Sequence, residues 1–164
     1  MISDSTYDFE DTILPPRFGL VSGLIAAALM LVLVLALQPL TGFSLKALLA
    51  QIGALIWFNT APETSLVMLG LLLHGLLGSI FGVLYALCQQ RAPARGLIAV
   101  GLFYGFFLWV GGSLIIGIFL SESLRAMIRS WPWFWACLGF GLCLAASAIW
   151  VERQRPAAAM VPKD

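Results

Sequence analysis

Long uninterrupted apolar stretches alternate with short polar segments along this chain. Four stretches are long enough to cross a bilayer, because a transmembrane helix needs roughly 20 mostly apolar residues. They lie at residues 17–37, 64–88, 97–120 and 133–151, and none carries Lys, Arg, Asp or Glu in its interior. A membrane β-barrel would instead show short strands of alternating polarity. The pattern predicts an all-α, polytopic membrane protein with four transmembrane helices.

Two shorter segments between the spans have helical periodicity and one apolar face. In residues 44–58, leucines and isoleucines recur every three or four positions, which predicts an interfacial helix on the non-cytoplasmic surface. A re-entrant or core-packed helix is the alternative. Residues 121–135 form a second amphipathic piece that ends in an aromatic cluster. Indole rings favour the headgroup level of a bilayer, and the predicted interface anchors are Trp57, Trp131, Trp133 and Trp135.

The two short segments resemble each other. Residues 44–49 are SLKALL and residues 123–128 are SLRAMI, which match by residue type at every position. Each segment follows a span and precedes a cluster of Trp and Phe. This similarity suggests a duplicated unit of span, surface helix and span, with both copies in the same orientation, as in parallel-repeat membrane folds.

Composition agrees with a protein that is dissolved mainly in lipid. Hydrophobic residues make up 61% of the chain and charged residues only 10%, against about a quarter charged in soluble domains. The formal net charge of +1 gives no basic field for nucleic acid, so we expect the bilayer and not nucleic acid as a partner. Outside a transmembrane domain at residues 17–152, we expect an acidic N-terminal tail, residues 1–16, and a flexible C-terminal tail, residues 153–164.

The distribution of positive charge sets the predicted orientation. Loops rich in Lys and Arg remain in the cytoplasm. One side of the predicted topology carries six such residues and the other side three: Arg17, Arg91, Arg95, Arg153, Arg155 and Lys163 against Lys46, Arg125 and Arg129. This excess predicts that both termini and the central loop are cytoplasmic.

Small residues recur at four-residue spacing within the spans. Such stripes let two helix backbones approach closely inside a membrane. Their first expected role is packing of the four helices against one another, and some of them are expected to face partner subunits. The predicted helix-packing positions are Gly19, Gly23, Gly70, Gly78, Gly82, Gly101, Gly105 and Gly141.

His74 is the only histidine and lies deep inside the second predicted span. It shares a stripe with Gly70, Gly78 and Gly82, so the imidazole is expected to face the bundle. The favoured interpretation is an interhelical hydrogen bond to Ser, Tyr or a backbone carbonyl. Cofactor binding is the alternative, with the imidazole as axial ligand to haem or a chlorophyll-type pigment. Proton transfer is the third, opposed by the lack of an intramembrane Asp or Glu.

The sequence contains no catalytic, nucleotide-binding or multi-ligand metal motif, so no catalytic or metal residue is predicted. The leading hypothesis is a non-catalytic structural or accessory subunit of a larger membrane protein complex, respiratory or photosynthetic, with other membrane subunits as partners. The alternative is a small homo-oligomeric transporter or channel. The third hypothesis is a membrane protein that binds haem or pigment through His74.

Two of the spans also show a family resemblance. The segments GLLLHGLLGSIFGVLYAL, residues 70–87, and GLFYGFFLWVGGSL, residues 101–114, resemble the corresponding spans of the YagU-like family of small four-helix bacterial membrane proteins. The likeness rests on the placement of Gly, His and aromatic residues. It implies a multi-pass protein of the bacterial inner (cytoplasmic) membrane and supplies no activity, cofactor or site residue.

Overall fold

A computed structural model of the chain describes residues 16–42, 44–57, 61–89, 96–116 and 122–154. Over these ranges the chain forms helices joined by turns and no strand, which confirms the predicted all-α class. Four helices in this part of the chain are long and apolar enough to cross a membrane. They cover Pro16–Leu40, Glu63–Gln89, Leu97–Leu114 and Trp131–Val151.

Six α-helices follow one another along the described chain: α1 (Pro16–Thr41), α2 (Leu45–Trp57), α3 (Glu63–Gln89), α4 (Leu97–Gly111), α5 (Glu122–Ile128) and α6 (Trp131–Gln154). A π-helical turn, Gly112–Ile116, continues α4. The first span runs beyond residue 37, through Pro39, and ends where Gly42 adopts the left-handed conformation with φ 68°. The two predicted tails lie outside the described residues, except for Pro16, Arg153 and Gln154.

Helices α1 and α3 pack antiparallel with their backbones in contact. Gly19 faces Gly82, and four residues further along α1, Gly23 faces Gly78. A methyl group at Gly19 would lie only 2.6 Å from the carbonyl oxygen of Gly82. The contact therefore requires glycine, which is the close approach that small-residue stripes permit in membranes.

Helices α4 and α6 pack in the same way. Gly101 faces Gly141, and Gly105 faces the backbone of Cys137. A methyl group at Gly101 would lie 2.6 Å from the carbonyl oxygen of Gly141. In both pairs the contacts begin within two turns of the start of the earlier span and repeat after four residues. The two pairs thus share one pattern of contacts, and the duplication of a unit of span, surface helix and span stays a prediction.

The two helix pairs join through α1 and α6. Both helices contribute buried side chains to one core cluster, among them Ala26 and Met30 from α1 and Phe140 and Leu144 from α6. In contrast, α3 and α4 make few contacts with each other. The four spans are thus arranged in the order α3, α1, α6, α4, and the two outer helices of this series diverge.

Helix α2 crosses α3 instead of running alongside it. Leu49 contacts Gly70, and Gly53 contacts Leu66, whereas the ammonium of Lys46 lies 3.0 Å from the carboxylate of Glu63. In an antiparallel pair, Lys46 would lie opposite a residue ten positions beyond Glu63, about 15 Å away at 1.5 Å per residue. Helix α2 is therefore inclined to α3 and packed closely on the bundle, and its location at a membrane surface stays a prediction.

Replacing the contact glycines tests this arrangement. We expect Gly19→Ala and Gly101→Ala each to lower the free energy of unfolding by about 1–3 kcal/mol, because the added methyl forces the helix backbones apart. The matched control is Gly111→Ala, since a methyl group there would meet no atom within 4 Å.

The measurement is equilibrium unfolding of the purified variants in mixed detergent micelles. Gly111→Ala should equal or exceed the wild type in stability, because Ala favours helix over Gly. Equal stability of all three variants would contradict the close backbone contacts.

Candidate functional site

A cavity of about 470 Å³ lies where α3 and α4 diverge. All six helices contribute to its wall, and most of the lining side chains are aliphatic or aromatic. Four rings line it, those of Phe81, Phe107, Trp133 and Phe140. Its volume lies within the roughly 300–1,000 Å³ of sites that hold small molecules.

Some side chains of the cavity wall are also exposed at the surface of the protein. Three of the lining residues are also well exposed: Leu55 on α2 at 48%, Leu77 on α3 at 46% and Phe107 on α4 at 65%. In a bundle of spans, exposed apolar side chains at mid-helix positions face the hydrocarbon of the bilayer. Part of the cavity wall therefore lies at the outer surface of the bundle, where contact with lipid is expected.

Two tyrosines that are not part of the cavity wall join α3 and α4 nearer the loop between these helices. The hydroxyl of Tyr104 on α4 donates to the carbonyl oxygen of Phe81 on α3 at 2.6 Å. The rings of Tyr85 and Tyr104 meet edge to face with centroids 5.3 Å apart, and the Tyr85 hydroxyl lies 3.5 Å from the carbonyl oxygen of Leu97. These contacts join α3 and α4 near the loop that connects them.

The short helices α2 and α5 pack against each other. Leu48 on α2 packs with Leu124, Met127 and Ile128 on α5 in a second core cluster. The indole N–H of Trp109 on α4 donates to the carbonyl oxygen of Ile128 at 3.1 Å, which fixes α5 to the bundle. The short helices therefore form part of the cavity wall, through Leu48, Ile52 and Leu55 of α2 and Leu124 and Ile128 of α5.

His74 is half-buried and forms part of the cavity wall. Its Nε2 lies 3.1 Å from the carbonyl oxygen of Ala27 on α1, which confirms the predicted interhelical hydrogen bond to a backbone carbonyl. A carbonyl oxygen only accepts, so Nε2 carries the proton and donates it. In the neutral ring, Nδ1 is then an acceptor, and the bond to Ala27 is the one hydrogen bond that the structure gives the His74 side chain among the described residues.

The predicted packing glycines lie at contacts within this chain. Gly70 contacts Leu49 on α2, and the others form the α1 to α3 and α4 to α6 contacts. The small-residue faces are therefore occupied by the chain's own helices. This removes one argument for partner subunits, because the predicted spare faces are already covered.

The predicted tryptophan anchors fall into two groups. Trp57, Trp131 and Trp135 are exposed at the ends of helices, where an interface anchor would lie. Trp133 is half-buried, packs against both core clusters and lines the cavity. Its position on the inner face of α6 makes it part of the site.

The sequence does not predict the cavity or the glycines that leave space for it. Gly111 and Gly112 line the cavity at the end of α4, and a methyl group at Gly111 would meet nothing within 4 Å. Gly53 on α2 was likewise outside the predicted stripes, although its backbone contacts Leu66. The adjacent pair Gly111–Gly112, with no large side chain at that level of α4, is the signal in the sequence that points to the cavity.

Comparison of the chain with profiles of known protein families, with curated proteins and with solved structures finds no match in any of the three. The resemblance of residues 70–87 and 101–114 to YagU-like proteins therefore stays a prediction. Ligation of haem or pigment by His74 also stays a prediction. Because Nε2 is bound to Ala27, an axial bond would go through Nδ1 or require Nε2 to leave that carbonyl.

Proposed function

We propose that this protein is a non-catalytic membrane protein that binds one apolar molecule from the bilayer in the cavity between α3 and α4. The observation that carries the proposal is that cavity, whose lining side chains are mostly apolar and include Leu77 and Phe107, which are also exposed at the surface of the bundle. A molecule dissolved in the bilayer reaches such a site without passing through water. Its apolar wall matches an apolar ligand.

The apolar wall of the cavity argues against the alternative of a transporter or channel for a polar solute. A pathway for a polar solute needs polar groups along its length. The cavity wall instead offers one strongly polar side chain, His74, among hydrocarbon neighbours. The cavity therefore favours binding of a lipid-like molecule over passage of an ion or a sugar.

The hypothesis of an accessory subunit in a larger membrane complex stays a prediction. The same holds for a respiratory or photosynthetic complex as its host. Its argument from unused small-residue faces is weaker, because those faces lie between helices of this chain. Exposed large apolar side chains on the outer surfaces of the spans are consistent with contact with lipid. A role in delivering or holding a lipid-like molecule for a larger complex would combine both hypotheses.

We further propose a bacterial inner-membrane location with both termini in the cytoplasm. Ser44 and Gln90 lie on opposite sides of that topology, and neither carries a charge that sets orientation. In a variant without native cysteines, Ser44→Cys should react with an impermeant maleimide in intact spheroplasts, and Gln90→Cys only after permeabilisation. The reverse labelling pattern would place the termini outside.

Photolabelling tests the binding function. The protein is placed in lipid nanodiscs with a trace of a long-chain alkyl diazirine, irradiated, and the labelled peptides are identified by mass spectrometry. We expect saturable labelling of residues at the cavity, such as Phe107 and Trp133. An unlabelled long-chain hydrocarbon should compete for these sites, because the cavity holds a limited number of chains.

A variant that fills the cavity provides the decisive comparison. Gly111→Phe places a ring in open space next to the cavity and should reduce saturable labelling by about tenfold. The matched control, Ala146→Phe, adds the same ring on the exposed face of α6 and should leave labelling unchanged. Labelling spread over the lipid-facing surfaces and unaffected by Gly111→Phe would refute the proposal.

A further inference from the structure

Only one side chain in the cavity wall offers a strong hydrogen-bond acceptor that the described residues leave unused. The Nε2–H of His74 is committed to the carbonyl oxygen of Ala27 at 3.1 Å. Nδ1, on the other side of the ring, therefore has a lone pair and no partner among the described residues. Because this acceptor belongs to a residue of the cavity wall, a bound molecule is its available partner.

Because His74 lies deep in α3, a hydrogen bond to this acceptor favours ligand binding. His74 is eleven residues after the start of α3 and fifteen before its end, or roughly 16 Å and 22 Å along the helix at 1.5 Å per residue. Headgroups and bulk water lie near the helix ends. A polar atom at this depth has few hydrogen-bond partners in the surrounding hydrocarbon. A ligand that supplies a hydrogen-bond donor therefore binds more tightly when it bonds to Nδ1.

The chemistry of the cavity also limits the charge of the ligand. No charged residue belongs to its wall. A carboxylate, phosphate or ammonium would thus bring an uncompensated charge to the middle of the membrane, which is costly. The donor that fits is a neutral one, and a hydroxyl group is the simplest neutral donor on an apolar molecule.

The aromatic side chains favour a ring as the body of the ligand. Phe81, Phe107, Trp133 and Phe140 come from three helices and all line the cavity. Aromatic groups gain from edge-to-face or offset contacts with other rings beyond the area they bury. A hydroxyl group on an aromatic ring with an apolar tail combines the ring contacts with the donor.

We propose that the cavity binds an apolar hydroxyl compound of the phenol class, whose O–H donates to Nδ1 of His74. This inference rests on the proposed function, since it names the chemistry of the molecule held in the same cavity. His74 then has two roles. Its Nε2–H holds α3 against α1, and its Nδ1 selects ligands that carry a donor.

A pair of probes that differ by one donor tests the inference. 4-Nonylphenol and its methyl ether, 4-nonylanisole, have the same ring and tail, but only the phenol has an O–H. Each competes with the alkyl diazirine for the saturable label in nanodiscs, and its amount is expressed as a mole fraction of the bilayer. We expect the phenol to compete at about three- to tenfold lower mole fraction, the factor that one hydrogen bond gives.

Variants then assign the preference to His74. In His74→Met, which removes both ring nitrogens, the two probes should compete equally. In His74→Gln, whose amide supplies a donor and an acceptor, part of the preference should remain. Ser113→Ala removes a buried hydroxyl outside the cavity wall and should leave the preference intact.

The outcomes separate this inference from the proposed function. If neither probe competes with the label, the binding function itself fails. If both compete equally with the wild-type protein, the cavity binds apolar molecules but the hydrogen bond to His74 is refuted, and this comparison needs no variant to fold. A phenol preference that survives in folded His74→Met would place the acceptor elsewhere and overturn the assignment to His74.

Discussion

Backbone contact between glycines determines how the four spans are arranged. Lipid offers apolar helices no hydrophobic gain on association, so helix pairs form where close packing is best. Gly19 and Gly23 of α1 contact Gly82 and Gly78 of α3, respectively. Gly101 and Gly105 of α4 contact the backbone of α6 in the same way. Each outer helix therefore packs against an inner one, α3 on α1 and α4 on α6. Helices α3 and α4 have no comparable glycine surface for each other. The space between them follows from these two contacts.

Hydrogen bonds of three polar side chains join the helices around that space. Tyr104 bonds to Phe81 at one end, and Trp109 bonds to Ile128 on α5 at the other. Between these bonds lies the cavity, and the carbonyl oxygen of Ala27 accepts the hydrogen bond that holds His74 in its wall. Tyr104, Trp109 and His74 therefore serve the same arrangement, because each of them joins two helices around the cavity.

Much of this architecture is present in the sequence as local pattern. Apolar run length predicts the spans, and four-residue spacing identifies the glycines that lie at the helix contacts. The burial of Tyr104, Trp109 and His74 with hydrogen-bond partners also follows from their type and depth. Each of these features depends on one helix or one residue and needs no knowledge of which helices pair.

The cavity could not be predicted in this way, because it depends on which helices pair. A glycine at a contact and a glycine beside empty space look the same in a sequence. Gly82 has no room for a methyl group, whereas Gly111 has open space around it. Trp133 shows the same limit, since it belongs to an aromatic cluster typical of an interface but faces the cavity.

Native mass spectrometry of the protein, released directly from its own membranes, tests whether the cavity holds a ligand. We predict that each chain carries one additional small apolar molecule, which is lost in the cavity-filling variant Gly111→Phe and kept in Ala146→Phe. Chains that carry no extra mass in the wild type, or the same extra mass in both variants, would contradict a binding site between α3 and α4.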